Sequence, residues 1–156
     1  MNASRRDVLL WAAAGSVVLV SGARAEAPPP MTVHRDPGCG CCHKWVQHLE
    51  ANGFTVTLVD APSMKAVKAR LGVPPELAAC HTGEIGAYVI EGHVPAAAVK
   101  RLLAEKPEGR GLAVRGMPVG SPGMEVDGGE PEVYEVFLFG AGEPKSFGTF
   151  RADKPT

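Results

Sequence analysis

The chain has 156 residues, 45% apolar and 21% charged, with a formal net charge of −1; that is enough for one domain with its own core rather than two. It has no run of Lys or Arg able to track a phosphate backbone, which argues against nucleic acid as a partner. No P-loop, strand-borne G-x-G-x-x-G or Ser-His-Asp order is present, so nucleotide and hydrolase chemistry have no support. Gly (19) and Pro (14) are abundant and predict long connections between few elements.

The N-terminus reads as an export signal. A charged start, Ser4 to Leu10, leads into the apolar run Val8 to Val20 and then an Ala-x-Ala site at Ala23 and Ala25. Thirteen residues of helix rise only about 20 Å, too short for a bilayer core of roughly 30 Å. Ser4-Arg5-Arg6 with Leu9 matches a twin-arginine pattern. Residues 1–25 are therefore expected to be a cleaved twin-arginine signal peptide, with no stable membrane association afterwards. Cleavage would remove Arg5, Arg6, Arg24 and Asp7 and leave 13 basic and 16 acidic side chains. The destination is a bacterial periplasm, an oxidising space.

Residues 26–30 (EAPPP) form an extended leader to a single domain over 31–151. Met31–Asp36 alternates and is β-prone. Pro37-Gly38 turns the chain, and from Cys42 a helix with Trp45, Val46 and Leu49 on one face runs to Gly53. Phe54–Asp60 is a second strand. Ser63–Gly72 is an amphipathic helix with Ser63 as N-cap and Gly72 as C-cap. Pro74-Pro75 opens a short helical turn ending near Cys80. Gly86–Gly92 is a third strand, and Pro95–Pro107 a helix with Pro in its first turn. Arg110–Pro131 is a Gly/Pro-rich loop, and Val133–Gly140 with Lys145–Phe150 makes a closing hairpin. This order, with cysteines at the start of the first helix, resembles the α/β thioredoxin-like fold: a central mixed sheet with flanking helices and a C-terminal hairpin.

Three of the four cysteines, Cys39, Cys41 and Cys42, crowd into four positions. The spacing reads as C-x-C-C rather than the C-x-x-C of a zinc ribbon. Unpaired backbone N–H groups at a helix start favour thiolate there. Cys80 lies before the third strand, where thioredoxin-like folds place the cis-proline loop that touches the redox pair, so four sulfurs are expected at one site. Purely structural disulfides rank lower, because the three clustered cysteines are too close to staple distant segments and short cyclic disulfides are strained; one long link, to Cys80, is the natural one.

Two functional readings stay open. Crowded thiolates suit a soft metal, with Cu(I) favoured over zinc and iron–sulfur and room for more than one ion. The same four cysteines suit thiol–disulfide exchange, which would make the protein an oxidoreductase with a thiol reductant as partner. Met117 and Met124, seven apart in a constrained loop, are further soft donors or adaptable packers. His43 and His81 each follow a cysteine and are candidate ligands or tuners of thiolate pKa. His34, His48 and His93 read as surface or strand residues, and Trp45 and Tyr88 as core.

The segments DPGCGCCHKWVQHLEANGF, LAACHTGEIGAYVIEGHVPAAAVKRLLAEKP and GLAVRGMPVGSPGMEV together resemble the CopG-type family, often associated with copper-resistance clusters. The similarity spans nearly all of residues 31–150. It implies a thioredoxin-like fold, copper bound by Cys39, Cys41, Cys42 and Cys80, a role in copper redox handling, and copper ions or another periplasmic copper protein as partners. Arg115 departs from the pattern, which leads one to expect Pro before Gly-Met-Pro.

Overall fold

The computed structural model describes residues 27–140 and 142–156. The expected signal peptide, residues 1–25, lies outside the described residues. Strand β1 is Met31–Arg35, helix α1 Gly40–Ala51, β2 Val56–Asp60 and α2 Met64–Leu71. A 3-10 turn, Pro75–Leu77, leads to the hairpin β3 (His81–Ile85) and β4 (Tyr88–Glu91). Then come α3 (Ala96–Glu105), β5 (Gly111–Val114), β6 (Val133–Phe139), β7 (Lys145–Arg151) and β8 (Lys154–Pro155).

All eight strands form one sheet in the order β2-β1-β3-β4-β5-β6-β7-β8. β1 pairs parallel with β2 and antiparallel with β3, and β4 pairs antiparallel with β3 and parallel with β5. The remaining pairs are antiparallel. The β1-α1-β2 unit joined to a β3–β4 hairpin and α3 is the thioredoxin-like core, extended by β5 to β8.

Local chemistry sets the element ends. Ser63 Oγ accepts from the Ala66 amide at 3.3 Å and opens α2; Gly72, at φ 73°, closes it in the left-handed region that costs glycine nothing. Side chains alternate across the sheet. Trp45, Val46 and Leu49 of α1 and Ala98, Val99 and Leu102 of α3 pack on Met31, Val33, Ile85, Ile90 and Leu112. The opposite face packs Leu71, Leu77, Val89, Ala113 and Phe139 beneath α2. Each large apolar side chain fully buried in these layers contributes roughly 1.5–3 kcal/mol.

Three features differ from the sequence expectation. The strand expected at Gly86–Gly92 is present as β4, but a further strand precedes it: Gly86 at φ 55° allows a tight turn, and the run before it, His81–Ile85, pairs with β4 as β3. That run is polar and carries no apolar alternation, yet it lies between β1 and β4 with His81, Thr82, Gly83 and Ile85 buried. The expected loop Arg110–Pro131 contains β5, a four-residue buried strand too short to show periodicity. β8 adds a short edge pair after the closing hairpin.

Gly111 sits opposite Val89 in the β4–β5 pair, and a Cβ there would meet the Val89 backbone. Backbone cannot yield as a side chain tip can, so Gly111→Ala should destabilise the protein by at least about 3 kcal/mol. Urea unfolding checks this; a loss below about 1 kcal/mol would mean that β5 shifts freely.

Candidate metal and thiol centre

The chain leaves β1 through an Asp36 turn. Asp36 accepts the Gly38 amide on its carboxylate (2.9 Å) and the Cys39 amide on its carbonyl (3.0 Å). Arg35 donates to the Cys39 carbonyl at 3.2 Å. Cys39 is the N-cap of α1, in extended conformation, so the helix begins at Gly40 and not at Cys42 as expected. Cys41 and Cys42 both lie in the first turn.

Cys39 and Cys42 form a disulfide, which corrects two sequence expectations. The pair is itself three residues apart, so C-x-C-C also contains a C-x-x-C. Nor is a link to Cys80 the only natural one. An N-cap side chain and the residue three further on face each other, which is why N-cap oxygens reach that amide. Here the two Cα atoms are 5.5 Å apart, within the usual range for a disulfide.

Cys41 and Cys80 are free and half-buried. Cys41 Sγ lies 3.5 Å from Cys39 Sγ and 3.6 Å from Cys80 Sγ, and all four sulfurs lie within 4.8 Å of one another. Cys80 directly precedes β3, a strand earlier than the one it was expected to precede, and no peptide bond among the described residues is cis, with Ala79 standing before it.

Two histidines converge on Cys80. His81 Nδ1 is 3.3 Å and His93 Nε2 3.6 Å from its sulfur. His81 Nε2 donates to the Gly92 carbonyl (3.0 Å) and His93 Nδ1 to the Pro122 carbonyl (2.9 Å). Those bonds fix both tautomers and leave an unprotonated nitrogen of each ring facing the thiol, the arrangement that backbone carbonyls impose on metal-binding imidazoles. Both rings are fully buried and meet edge to face, with centroids 5.0 Å apart. His93, expected to be a surface or strand residue without a role, therefore belongs to this centre: it follows β4 by two residues, and only the pairing of β4 with the unforeseen β3 carries it to Cys80. His43 is exposed beside Gln47 on α1. His48, also expected to be a surface or strand residue, is half-buried in α1 and accepts the Ala96 amide at 3.1 Å, capping α3. His34 lies in β1 and pairs with Glu84.

The Gly/Pro loop crosses the start of α1. A Cβ at Gly123 would stand 2.8 Å from the Cys41 carbonyl and 2.9 Å from the Trp45 amide, so only glycine fits. Met124 is next to it and half-buried, while Met117 is 55% exposed. Arg115 places its guanidinium over the Phe137 ring, 4.6 Å from the centroid.

Burial dominates the electrostatics. It pushes the Cys80 thiol up to about 12, helped by its contact with Cys41. Burial lowers His81 to about 3, with the neighbouring His93 adding to the effect, and also lowers His93. At neutral pH the metal-free centre is thus a thiol between two neutral imidazoles, and Cys80 S–H donates to a ring nitrogen.

With the Cys39–Cys42 disulfide intact and Cys41 replaced by Ser, iodoacetamide should alkylate metal-free Cys80 at pH 8 at least about 30-fold more slowly than free cysteine. The rate should rise about tenfold per pH unit up to pH 10, since the thiolate fraction grows until the raised pKa is reached. A plateau near pH 9 would show an ordinary thiol.

A family model described as a protein of unknown function, DUF411, matches residues 77–124, from the 3-10 turn through the Gly/Pro loop. No curated protein matches the chain. Two solved structures named copper resistance protein CopG, form 1 and form 2, are each 48% identical to it. Each match covers 79% of this chain and 98% of the other, with TM-scores of 0.73 and 0.74. At 48% identity over nearly the whole of those proteins, the chain belongs to the CopG family.

Proposed function

We propose that this chain is a periplasmic copper-binding protein that holds Cu(I), in more than one ion if the thiolates bridge, through Cys39, Cys41, Cys42 and Cys80, and acts in copper resistance. The observation that carries this reading is the convergence of four sulfurs within 4.8 Å, one of them brought from 39 residues beyond Cys41. Thiolates prefer Cu(I) among the common metals, and the ion tolerates low coordination numbers. The copper resistance proteins to which the chain is similar support the choice of metal.

The Cys39–Cys42 disulfide withholds two donors, so loading needs the reduced chain. Each thiol loses its proton on metallation. His81 Nδ1 and His93 Nε2 add two nitrogen donors next to Cys80, and Met124 adjoins the loop across α1. Met117 completes the set of sulfur donors proposed for this loop. Copper redox fits the same atoms: oxidation of two thiolates at Cys39 and Cys42 to the disulfide releases two electrons, enough to convert two Cu(II) to two Cu(I).

Export through a cleaved twin-arginine signal over residues 1–25 would deliver the domain of residues 31–151 to the periplasm. No helix among the described residues is long and apolar enough to cross a membrane. Its partners there are copper ions, with another periplasmic copper protein or a thiol reductant as donor of ions or electrons.

One observation favours a second reading, that of a thiol–disulfide oxidoreductase. The disulfide sits at the start of a helix with a free thiol 3.5 Å from one of its sulfurs.

Copper titration of the fully reduced protein, followed by metal analysis, tests the first reading. Cys80→Ser should lower the copper stoichiometry nearly as much as Cys39→Ser; full loading without Cys80 would overturn the four-sulfur site, and zinc or iron with no copper would overturn the choice of metal. A scrambled or reduced disulfide substrate given to the metal-free and copper-loaded protein separates the classes. Turnover only without metal supports the oxidoreductase, and its absence in both states leaves a binding protein.

A further inference from the structure

The sulfur centre is backed by a buried ion pair that none of the chemistry above uses. Glu91, at the end of β4, is fully buried, and Lys68 of α2 is 12% exposed at its side chain. Glu91 Oε1 accepts from Lys68 Nζ at 2.5 Å and from the Ala79 amide at 2.6 Å. Its Oε2 accepts from Thr82 Oγ1 at 2.7 Å, and Lys68 also donates to that hydroxyl oxygen at 2.8 Å. The carboxylate therefore grips the chain on both sides of Cys80–His81: at the residue before, through a backbone N–H, and at the residue after, through a hydroxyl.

A buried ion pair is a poor means of stabilising a core, since apolar residues of similar volume often do as well. What an apolar side chain lacks is an acceptor for the Ala79 N–H. The neighbouring packing leaves little slack at that point: a Cβ on Gly92 would come within 2.8 Å of the Ala79 Cβ. Gly92 also supplies the carbonyl that orients His81. Held at Ala79 and Thr82, the segment between brings Cys80 Sγ to 3.6 Å from Cys41 Sγ and His81 Nδ1 to 3.3 Å from Cys80 Sγ.

We infer that Glu91 is a positioning residue for the thiol centre: its carboxylate, neutralised by Lys68, accepts the Ala79 amide and so fixes Cys80 against Cys41 and the two imidazoles. The copper arm of the test rests on the proposed function; the thiol arm does not.

The test compares Lys68→Met/Glu91→Gln with Lys68→Met/Glu91→Leu in the full chain. Both lack the ammonium, so neither leaves a lone buried charge, and any influence of Lys68 on the thiol cancels between them. Glutamine keeps an oxygen for the Ala79 N–H, whereas leucine does not. In the oxidised Cys41→Ser background, where Cys80 is the one free thiol, iodoacetamide should alkylate Cys80 at least about tenfold faster in the leucine protein than in the glutamine protein. In the reduced four-cysteine chain, competition with a Cu(I) chelator should show affinity at least about tenfold weaker with leucine, restored with glutamine.

Thermal unfolding of both proteins verifies that each is folded. If the leucine protein does not fold, Lys68→Met/Glu91→Met, which keeps an unbranched side chain at the position, replaces it. Equal alkylation rates in two folded proteins would overturn the positioning role, as would an equal departure of both from the parent. Failure of the unsubstituted chain to bind Cu(I), with the alkylation difference intact, would sink the proposed function and leave Glu91 its role.

Discussion

Trp45 donates its indole N–H to the Val94 carbonyl, 2.8 Å away, from a site with no solvent access. The ring also lies against His81, with centroids 4.3 Å apart, and over Gly83, where a Cβ would come 3.5 Å from it. One side chain thereby pins the second turn of α1 to β3 and to the segment that leads into α3. The angle and height of α1 decide where Cys41 falls, and with it whether the first-turn sulfurs meet Cys80.

Around this pin the polar groups are paired. Among the described residues no buried side-chain nitrogen or oxygen lacks a hydrogen-bond partner. Buried imidazoles and a buried carboxylate so close together are costly unless each lone pair and proton is placed. Here the backbone does the placing: the Gly92, Pro122 and Val94 carbonyls and the Ala79 amide each hold one side chain of the centre. Backbone partners that place each side chain in advance lower the ordering cost of any ligand that binds.

What could be read from the sequence was local. Ser63 and Gly72 announce the ends of α2 because capping is a matter of neighbouring residues, and Trp45, Val46 and Leu49 announce the buried face of α1 because helical period is local too. The approach of Cys80 to the first-turn cysteines followed from the winding of the fold, once the strand and helix order was recognised. The Cys39–Cys42 link was missed because adjacent cysteines at 41 and 42 obscure the three-residue step that contains it. β3 was missed because its residues are polar: its burial comes from strands on both sides, and single-sequence alternation carries no trace of that. His93 and Glu91 were missed with it, since each belongs to the centre only through the pairing of β3 with β4.

Cys80 belongs to both clusters whose atoms could hold a metal ion, the four sulfurs and the Cys80–His81–His93 set. Loss of that one sulfur to oxidation would therefore disable both at once. Sulfenic acid formation proceeds from the thiolate, and burial that carries the Cys80 pKa to about 12 keeps the sulfur protonated. The atom whose damage would cost most is thus chemically dormant in the metal-free protein.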